Sequence, residues 1–187
     1  MDRRALAVPD RHALYETCVQ APARLVPLLV AIHGGAPRVL GEDFCGTAAV
    51  SRAWLALVPE SRARALDVDA AVLARAAASA DANVRKRLEL VRADVRGFAD
   101  AARADLDVLF TGNFSVGELA TRAELLAYLI LARKRLAPGG VFVCDLYGGE
   151  SAFRTGAIDS AADLKTKVEV RNTGGFTAPS ESCGSNP

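Results

Sequence analysis

One stretch constrains this chain more than any other: Arg38-Val39-Leu40-Gly41-Glu42-Asp43-Phe44-Cys45-Gly46-Thr47-Ala48-Ala49-Val50. It reads as a short buried strand, an acidic strand end, a tight turn through Gly46 and a helix that starts at once. A strand turning straight into a helix leaves unpaired N–H groups at the helix start, and these attract the polar parts of a nucleotide-like ligand. In open α/β sheets ligands bind at the carboxyl ends of the strands, so this turn is the first place to look for a site. The plainer account is conformational: Gly46 lets the chain reverse and Thr47 caps the helix. Position favours a site. A second strand-like run, Ala63-Arg64-Ala65-Leu66, ends in Asp67, close to the roughly 20-residue offset at which nucleotide-binding βαβ units put an acid on a ribose.

The rest of the chain repeats the alternation. Helices are expected from Asp10 to about Gln20 and from Pro22 to His33, where Pro27 should bend the second or delay its start. They precede the sheet, as packing or as a lid. A helix from Ala48 to Leu57 ends at Pro59, and an alanine-rich helix follows Asp67-Val68-Asp69 from about Ala70 to Ala82. Further strands are read at Leu88 to Val91 and Leu106 to Phe110, the latter followed by the polar loop Thr111-Gly112-Asn113-Phe114-Ser115. A helix from about Arg122 to Leu136 carries Leu125, Leu126, Leu129 and Ile130 on one face and is stopped by Pro138-Gly139-Gly140. Val141 to Leu146 is a continuous apolar run of the kind covered on both faces. Strands and helices alternating at this spacing predict an α/β fold with a parallel sheet and right-handed crossovers.

Composition narrows the class. The 187 residues are 51% hydrophobic, enough for one domain with a core of its own. With 23 basic and 22 acidic residues there is no net field to recruit nucleic acid or an anionic membrane. Arg85-Lys86-Arg87 and Arg133-Lys134-Arg135 read as solvated helix faces rather than a nucleic-acid patch. Cys18, Cys45, Cys144 and Cys183 are far apart, with only His12 and His33 beside them. That pattern argues against a metal site or a disulfide framework and suits a reducing cytoplasm. No apolar run approaches the roughly 20 residues that span a bilayer, and the first residues lack the apolar core of a signal peptide. The expectation is a cytoplasmic protein. From Asn172 to Pro187 the chain is rich in Gly, Ser, Thr and Pro and is read as disordered, with Lys167 to Arg171 as one alternating strand before it.

These residues resemble a known family, the class I S-adenosylmethionine-dependent methyltransferases, and within it a bacterial subgroup whose first motif reads V-L-x-E-D-F-C-G-T-A, here Val39 to Ala48. The resemblance continues in Leu66-Asp67-Val68-Asp69, Ala93-Asp94-Val95, Asn113-Phe114-Ser115 and Leu136-Ala137-Pro138-Gly139-Gly140-Val141-Phe142-Val143. With Leu14-Tyr15-Glu16 at the start, it covers about Leu14 to Phe153. It implies a Rossmann-like, mostly parallel sheet in strand order 3-2-1-4-5 with helices on both faces and the last two strands of the family fold largely missing. Three regions follow: N-terminal helices over 1–37 as cap or lid, a cofactor-binding domain over 38–158, and an irregular tail over 159–187.

The resemblance also implies S-adenosyl-L-methionine as cofactor and a small-molecule acceptor. Asp43, Phe44, Cys45, Gly46 and Thr47 should hold its methionine part, with Asp67 on the ribose hydroxyls and Val68 beside it. Asp94 should face the adenine amino group with the Val95 backbone along the ring. Asn113, Phe114 and Ser115 should line the pocket near the methyl. The family's three loop glycines fall at Phe44, Gly46 and Ala48 here, a substitution the subgroup shares. The chain after Ile158 departs from the family, as a truncated or frameshifted chain would.

The residues have plainer readings too. Asp67 has the chemistry of a helix cap, Asp94 and Asn113 that of turns, and Phe114 that of core or of an aromatic facing a sulfonium. Asp145, beside Tyr147 at the end of the last strand, fits either a substrate contact or a turn. No catalytic base is identifiable. Two other classes are weighed: a non-catalytic relic or binding module whose sheet edge another chain covers, and a nicotinamide-dependent oxidoreductase, for which the full G-x-G-x-x-G is lacking.

Overall fold

The computed structural model describes residues 21–98, 103–148, 157–159 and 169–171, together with Glu16. The expected helix over 10–20, apart from Glu16, and the tail over 172–187 lie outside the described residues. The chain divides into two compact units between Leu146 and Tyr147.

In the first unit α1 (Pro22–His33) precedes β1 (Val39–Asp43), α2 (Ala49–Leu57), β2 (Arg62–Asp67), α3 (Ala70–Ser79), the single turn α4 (Ala82–Arg85) and β3 (Leu88–Arg92). Then come β4 (Leu106–Thr111), a 3-10 turn (Ser115–Glu118), α5 (Arg122–Arg135) and β5 (Leu136–Cys144). The five strands form one sheet in the order β3-β2-β1-β4-β5, and every pairing in it is parallel. β1 is central, with Asp43 opposite Leu66 on one side and Thr111 on the other. The carboxyl ends of three strands therefore meet at one rim.

Side chains alternate across β1. Leu40 joins Val26 and Leu29 of α1, Val50 and Trp54 of α2, and Val108 in the core on one face. On the other face Leu66, Leu109, Tyr128 and Ala132 form a second cluster under α5. Ala65, Leu73 and Ala76 let α3 lie close over β2. Burying each large aliphatic is worth roughly 1.5–3 kcal/mol. The start of β1 is pinned by Asp107, whose carboxylate accepts from the amides of Arg38 at 2.7 Å and Val39 at 2.9 Å.

Several local expectations change. Pro27 does not delay α1, which runs unbroken from Pro22. The carbonyl that Pro27 cannot serve belongs to Ala23, an exposed residue. The alanine-rich helix stops at Ser79, because the Asp81 carboxylate accepts from the amides of Asn83 and Val84 and starts a separate turn. The largest change is in α5. Its buried side chains are Tyr128, Ala132 and Arg135, while Leu126, Leu129 and Ile130 are 58%, 38% and 48% exposed. Polar bonds from Tyr128 and Arg135 to β1 set the rotation of this helix against its apolar stripe.

The stretch Pro138-Gly139-Gly140 lies within the span of β5. The β4–β5 ladder shifts register there, between Leu106 and Val108. A Cβ on Gly140 would sit 2.5 Å from the Leu106 carbonyl oxygen, so only glycine fits. Val141 to Cys144 are half-buried rather than covered on both faces, since β5 is an outer strand of this sheet. In the second unit, β6 (Ala157–Asp159) pairs antiparallel with β7 (Glu169–Arg171). Of the strand read over Lys167 to Arg171, the described part is Glu169–Arg171.

Candidate functional site

The rim at the ends of β1 and β2 is built from backbone. Beyond Asp43 the chain passes through Phe44, Gly46 and Ala48, at φ 54°, 53° and 53°, all left-handed. For the two residues that carry a Cβ this conformation costs about 1–2 kcal/mol each, and strain of that kind concentrates where a ligand is gripped. The turn docks on β2: the Cys45 amide donates to the Leu66 carbonyl at 2.8 Å and the Gly46 amide to the Asp67 carboxylate at 2.8 Å. The other Asp67 oxygen accepts from the Asp69 amide at 2.9 Å. Two bonds leave lone pairs on the carboxylate for a ligand. A Cβ built on Gly46 would meet nothing within 4 Å.

The cap alternatives separate cleanly. Asp69 caps α3, accepting from the Ala71 amide at 2.7 Å, so Asp67 does not. Ala48 occupies the N-cap of α2 without a side-chain bond. Thr47 is therefore not the cap; its hydroxyl donates to Glu16, whose carboxylate also receives both bonds of the Arg52 NH2 group at 3.1 Å.

Beneath the turn, Asp43 is 1% exposed. Its carboxylate takes two bonds from the Arg135 guanidinium, each 2.9 Å, and a third of 2.9 Å from the Tyr128 hydroxyl, which also pairs with Thr111 at 2.6 Å. Phe44 and Phe142 flank the Tyr128 ring edge-on, and Phe98 lies under the Arg135 guanidinium at 5.1 Å. Burial, with Asp43 adding to it, drives the Tyr128 hydroxyl well above the ordinary phenol range. The Cys45 thiol is likewise pushed far up, first by burial and then by Glu42, Asp67 and Asp43, so it stays protonated and fills space. Glu42, on the opposite face, accepts from the Ser51 amide at 2.8 Å and from the Ser51 hydroxyl. Burial raises it to about 7 against the lowering effect of those bonds and of Arg52.

At the end of β3 the Ala93 amide donates to the Asp67 carbonyl at 3.0 Å. Asp94 follows. Its carboxylate holds the Arg96 guanidinium and amide, and these bonds keep it below the usual carboxylate range. The Val95 side chain is buried with Leu66, Leu109 and Tyr128, while Val68 is exposed. At the end of β4, Asn113 and Phe114 are also left-handed, at φ 57° and 60°. Their amides donate to the two oxygens of Asp145 at 3.0 and 2.7 Å. Asp145 thus shapes this loop, and the Phe114 ring is half exposed. Beside the loop a cleft of about 290 Å³ opens between α1 and the strand ends.

No family profile matches the sequence, and no curated protein matches it. Solved structures do. The sugar N-methyltransferase KedS8 from a Streptoalloteichus species superposes with a TM-score of 0.63 at 21% identity over 86% of this chain and 65% of that one. CalS10, an amino pentose methyltransferase from Micromonospora echinaspora, gives 0.65 at 22% identity over 84% and 66%. The glycopeptide N-methyltransferase MtfA bound to S-adenosylmethionine gives 0.61 at 23% identity over 82% and 68%. The fold is that of the class I methyltransferases. The chain spans about two thirds of the length of these methyltransferases.

The rim brings together an open glycine at Gly46, the Asp67 carboxylate held beside it and polar backbone around both. Among the described residues no His, Cys, Asp and Glu group is placed to hold a metal, and no helix is long and apolar enough to cross a membrane. Sequence reading missed Tyr128 and Arg135 as the anchors of Asp43. Their spacing with Leu125 and Ala132 is a helical stripe, but an arginine in a last turn reads as a solvated charge facing the helix carbonyls. Glu42 was visible in the motif without an assigned part.

Proposed function

We propose that this chain binds S-adenosyl-L-methionine at the Gly46 turn and transfers its methyl group to a small-molecule acceptor. The observation that carries the reading is the Asp67 carboxylate bonded to the Gly46 amide beneath an open space. Asp67 would accept from the ribose hydroxyls, with Val68 beside it. The backbone of Asp43, Phe44, Cys45, Gly46 and Thr47 would hold the methionine part. Asp94, with Val95, would border the adenine, and Asn113 and Phe114 the methyl end.

When bound, the cofactor supplies a methyl already activated on a sulfonium, so the chain's task is to bind, orient and exclude water. The buried Asp43–Arg135 pair keeps the turn rigid for that purpose. The motif Glu42 to Ala48 supports membership of the E-D-F-C-G-T-A subgroup, and residues 38–158 would carry the cofactor site. The free thiols Cys45 and Cys144 suit a reducing cytoplasm.

Titration calorimetry of the purified chain with S-adenosylhomocysteine tests this. Micromolar-range binding is expected for the wild type and none for Asp67→Ala. A wild type that releases no heat and shifts no nuclear resonance defeats the proposal.

A further inference from the structure

We propose that the cleft beside the Asn113–Phe114 loop binds the acceptor, and that this acceptor is a small amine with a hydrocarbon body, its nitrogen held by the Asp145 carboxylate. The proposal rests on the methyltransferase reading above and adds the chemical class of its substrate. At about 290 Å³ the cleft is at the small end of ligand pockets. Leu25 and Leu28 of α1, Val50 of α2 and Phe110 of β4 line it with hydrocarbon, and Asn113 and Asp145 stand at its strand-end side.

An ionised carboxylate offers about four lone-pair sites. On Asp145 two of them are taken, one on each oxygen, by the amides of Asn113 and Phe114. Those bonds fix the carboxylate against the loop assigned to the methyl end and leave a lone pair on each oxygen for a ligand. Asp145 is exposed and has no ion pair among the described residues. Arg24 also lines the cleft, but from α1, and it does not neutralise Asp145. The two charges give the cleft a polarity, drawing a cation to the strand ends and away from α1. An amine therefore enters with its nitrogen toward Asn113 and its hydrocarbon along Leu25, Leu28 and Val50.

Methyl transfer makes use of the same placement. The amine arrives as an ammonium ion, is held by Asp145 and gives one proton to the water that reaches this exposed residue. Its nitrogen lone pair then forms the N–C bond as the C–S bond breaks. The bonding pair stays on sulfur, which becomes a neutral thioether, and the positive charge passes to nitrogen. A carboxylate beside that nitrogen stabilises the charge as it develops, more than it stabilises the neutral amine before attack. The product is an alkylammonium ion, paired with Asp145 until it leaves.

The experiment measures binding of phenylpropylamine, phenylpropanol and glucosamine to the full chain by ligand-observed NMR, with and without saturating S-adenosylhomocysteine. Phenylpropylamine is expected to bind at least about tenfold more tightly than the alcohol, which lacks the charge, and than glucosamine, which lacks the hydrocarbon; tenfold is about 1.4 kcal/mol. Asp145→Asn should lower the amine to the affinity of the alcohol and leave the alcohol's own affinity unchanged, and Asp145→Glu should keep part of the preference. With both ligands bound, nuclear Overhauser contacts are expected between the nitrogen-bearing methylene of the amine and the protons beside the sulfur of S-adenosylhomocysteine. Equal binding of amine and alcohol overturns the proposal, as does glucosamine binding as tightly as phenylpropylamine. Parallel loss of amine and alcohol in Asp145→Asn also overturns it, since Asp145 would then only shape the loop. So does the absence of those contacts with both ligands bound. A wild type that prefers the amine yet binds no S-adenosylhomocysteine refutes the methyltransferase reading instead and upholds the amine site.

Discussion

The amide of Gly46 donates to the carboxylate of Asp67 across 2.8 Å, joining the turn after β1 to the end of β2. The pair gives the rim its shape before any ligand arrives. Losing it has two separable effects. Asp67→Ala removes the acceptor of two amides, those of Gly46 and Asp69, and should lower stability by about 1–2 kcal/mol in urea denaturation, because both donors regain water in part. Asp67→Asn keeps one neutral acceptor and should lose less stability, while S-adenosylhomocysteine affinity falls sharply in both. Parallel losses of stability and affinity across the two variants would mean that Asp67 only holds the turn.

Gly46 gives a sharper separation. Its φ of 53° penalises a side chain, but the space a methyl would enter is open. Gly46→Ala should therefore cost about 1 kcal/mol of stability while reducing cofactor affinity much more, since the methyl fills the cradle. Calorimetric binding equal to the wild type would place the cofactor elsewhere.

The Asp43–Arg135 pair is buried on both sides, at 0% and 1% side-chain exposure. Arg135→Met alone leaves a buried carboxylate uncompensated, and the loss should be about 3–5 kcal/mol in chemical denaturation. Pairing it with Asp43→Asn should recover much of that loss. If the double variant is as unstable as the sum of the singles, the ion pair is not the source of the effect.

Glu42 makes stability depend on pH. Its folded value of about 7 lies above the ordinary 4.5 because burial disfavours the anion. Between these values the folded chain holds more protons than the unfolded one, so stability falls as pH rises from about 4.5 to 7. The integrated loss is about 3 kcal/mol. Glu42→Gln should abolish this slope in denaturation midpoints taken across the window. A wild type whose midpoint rises over the same range contradicts the burial of a protonated Glu42.

Residue types and spacing determined the alternation of strands and helices, the turn at Gly46 and the acid at Asp67. Each of these is a local matter: apolar period, glycine placement and chain offset act over a few to about twenty residues. Tertiary structure alone decided which face of α5 is buried. Leu126, Leu129 and Ile130 form a plausible apolar stripe in sequence, yet Arg135 and Tyr128 turn inward because Asp43 on β1, far away in the chain, needs partners once it is out of water. The same holds for Asp145, whose reach to the Asn113 and Phe114 amides exists only when β5 lies beside β4. Hydrophobic period is written in consecutive residues, whereas the demand of a buried charge for a counter-charge is met by whatever the fold brings across from another element.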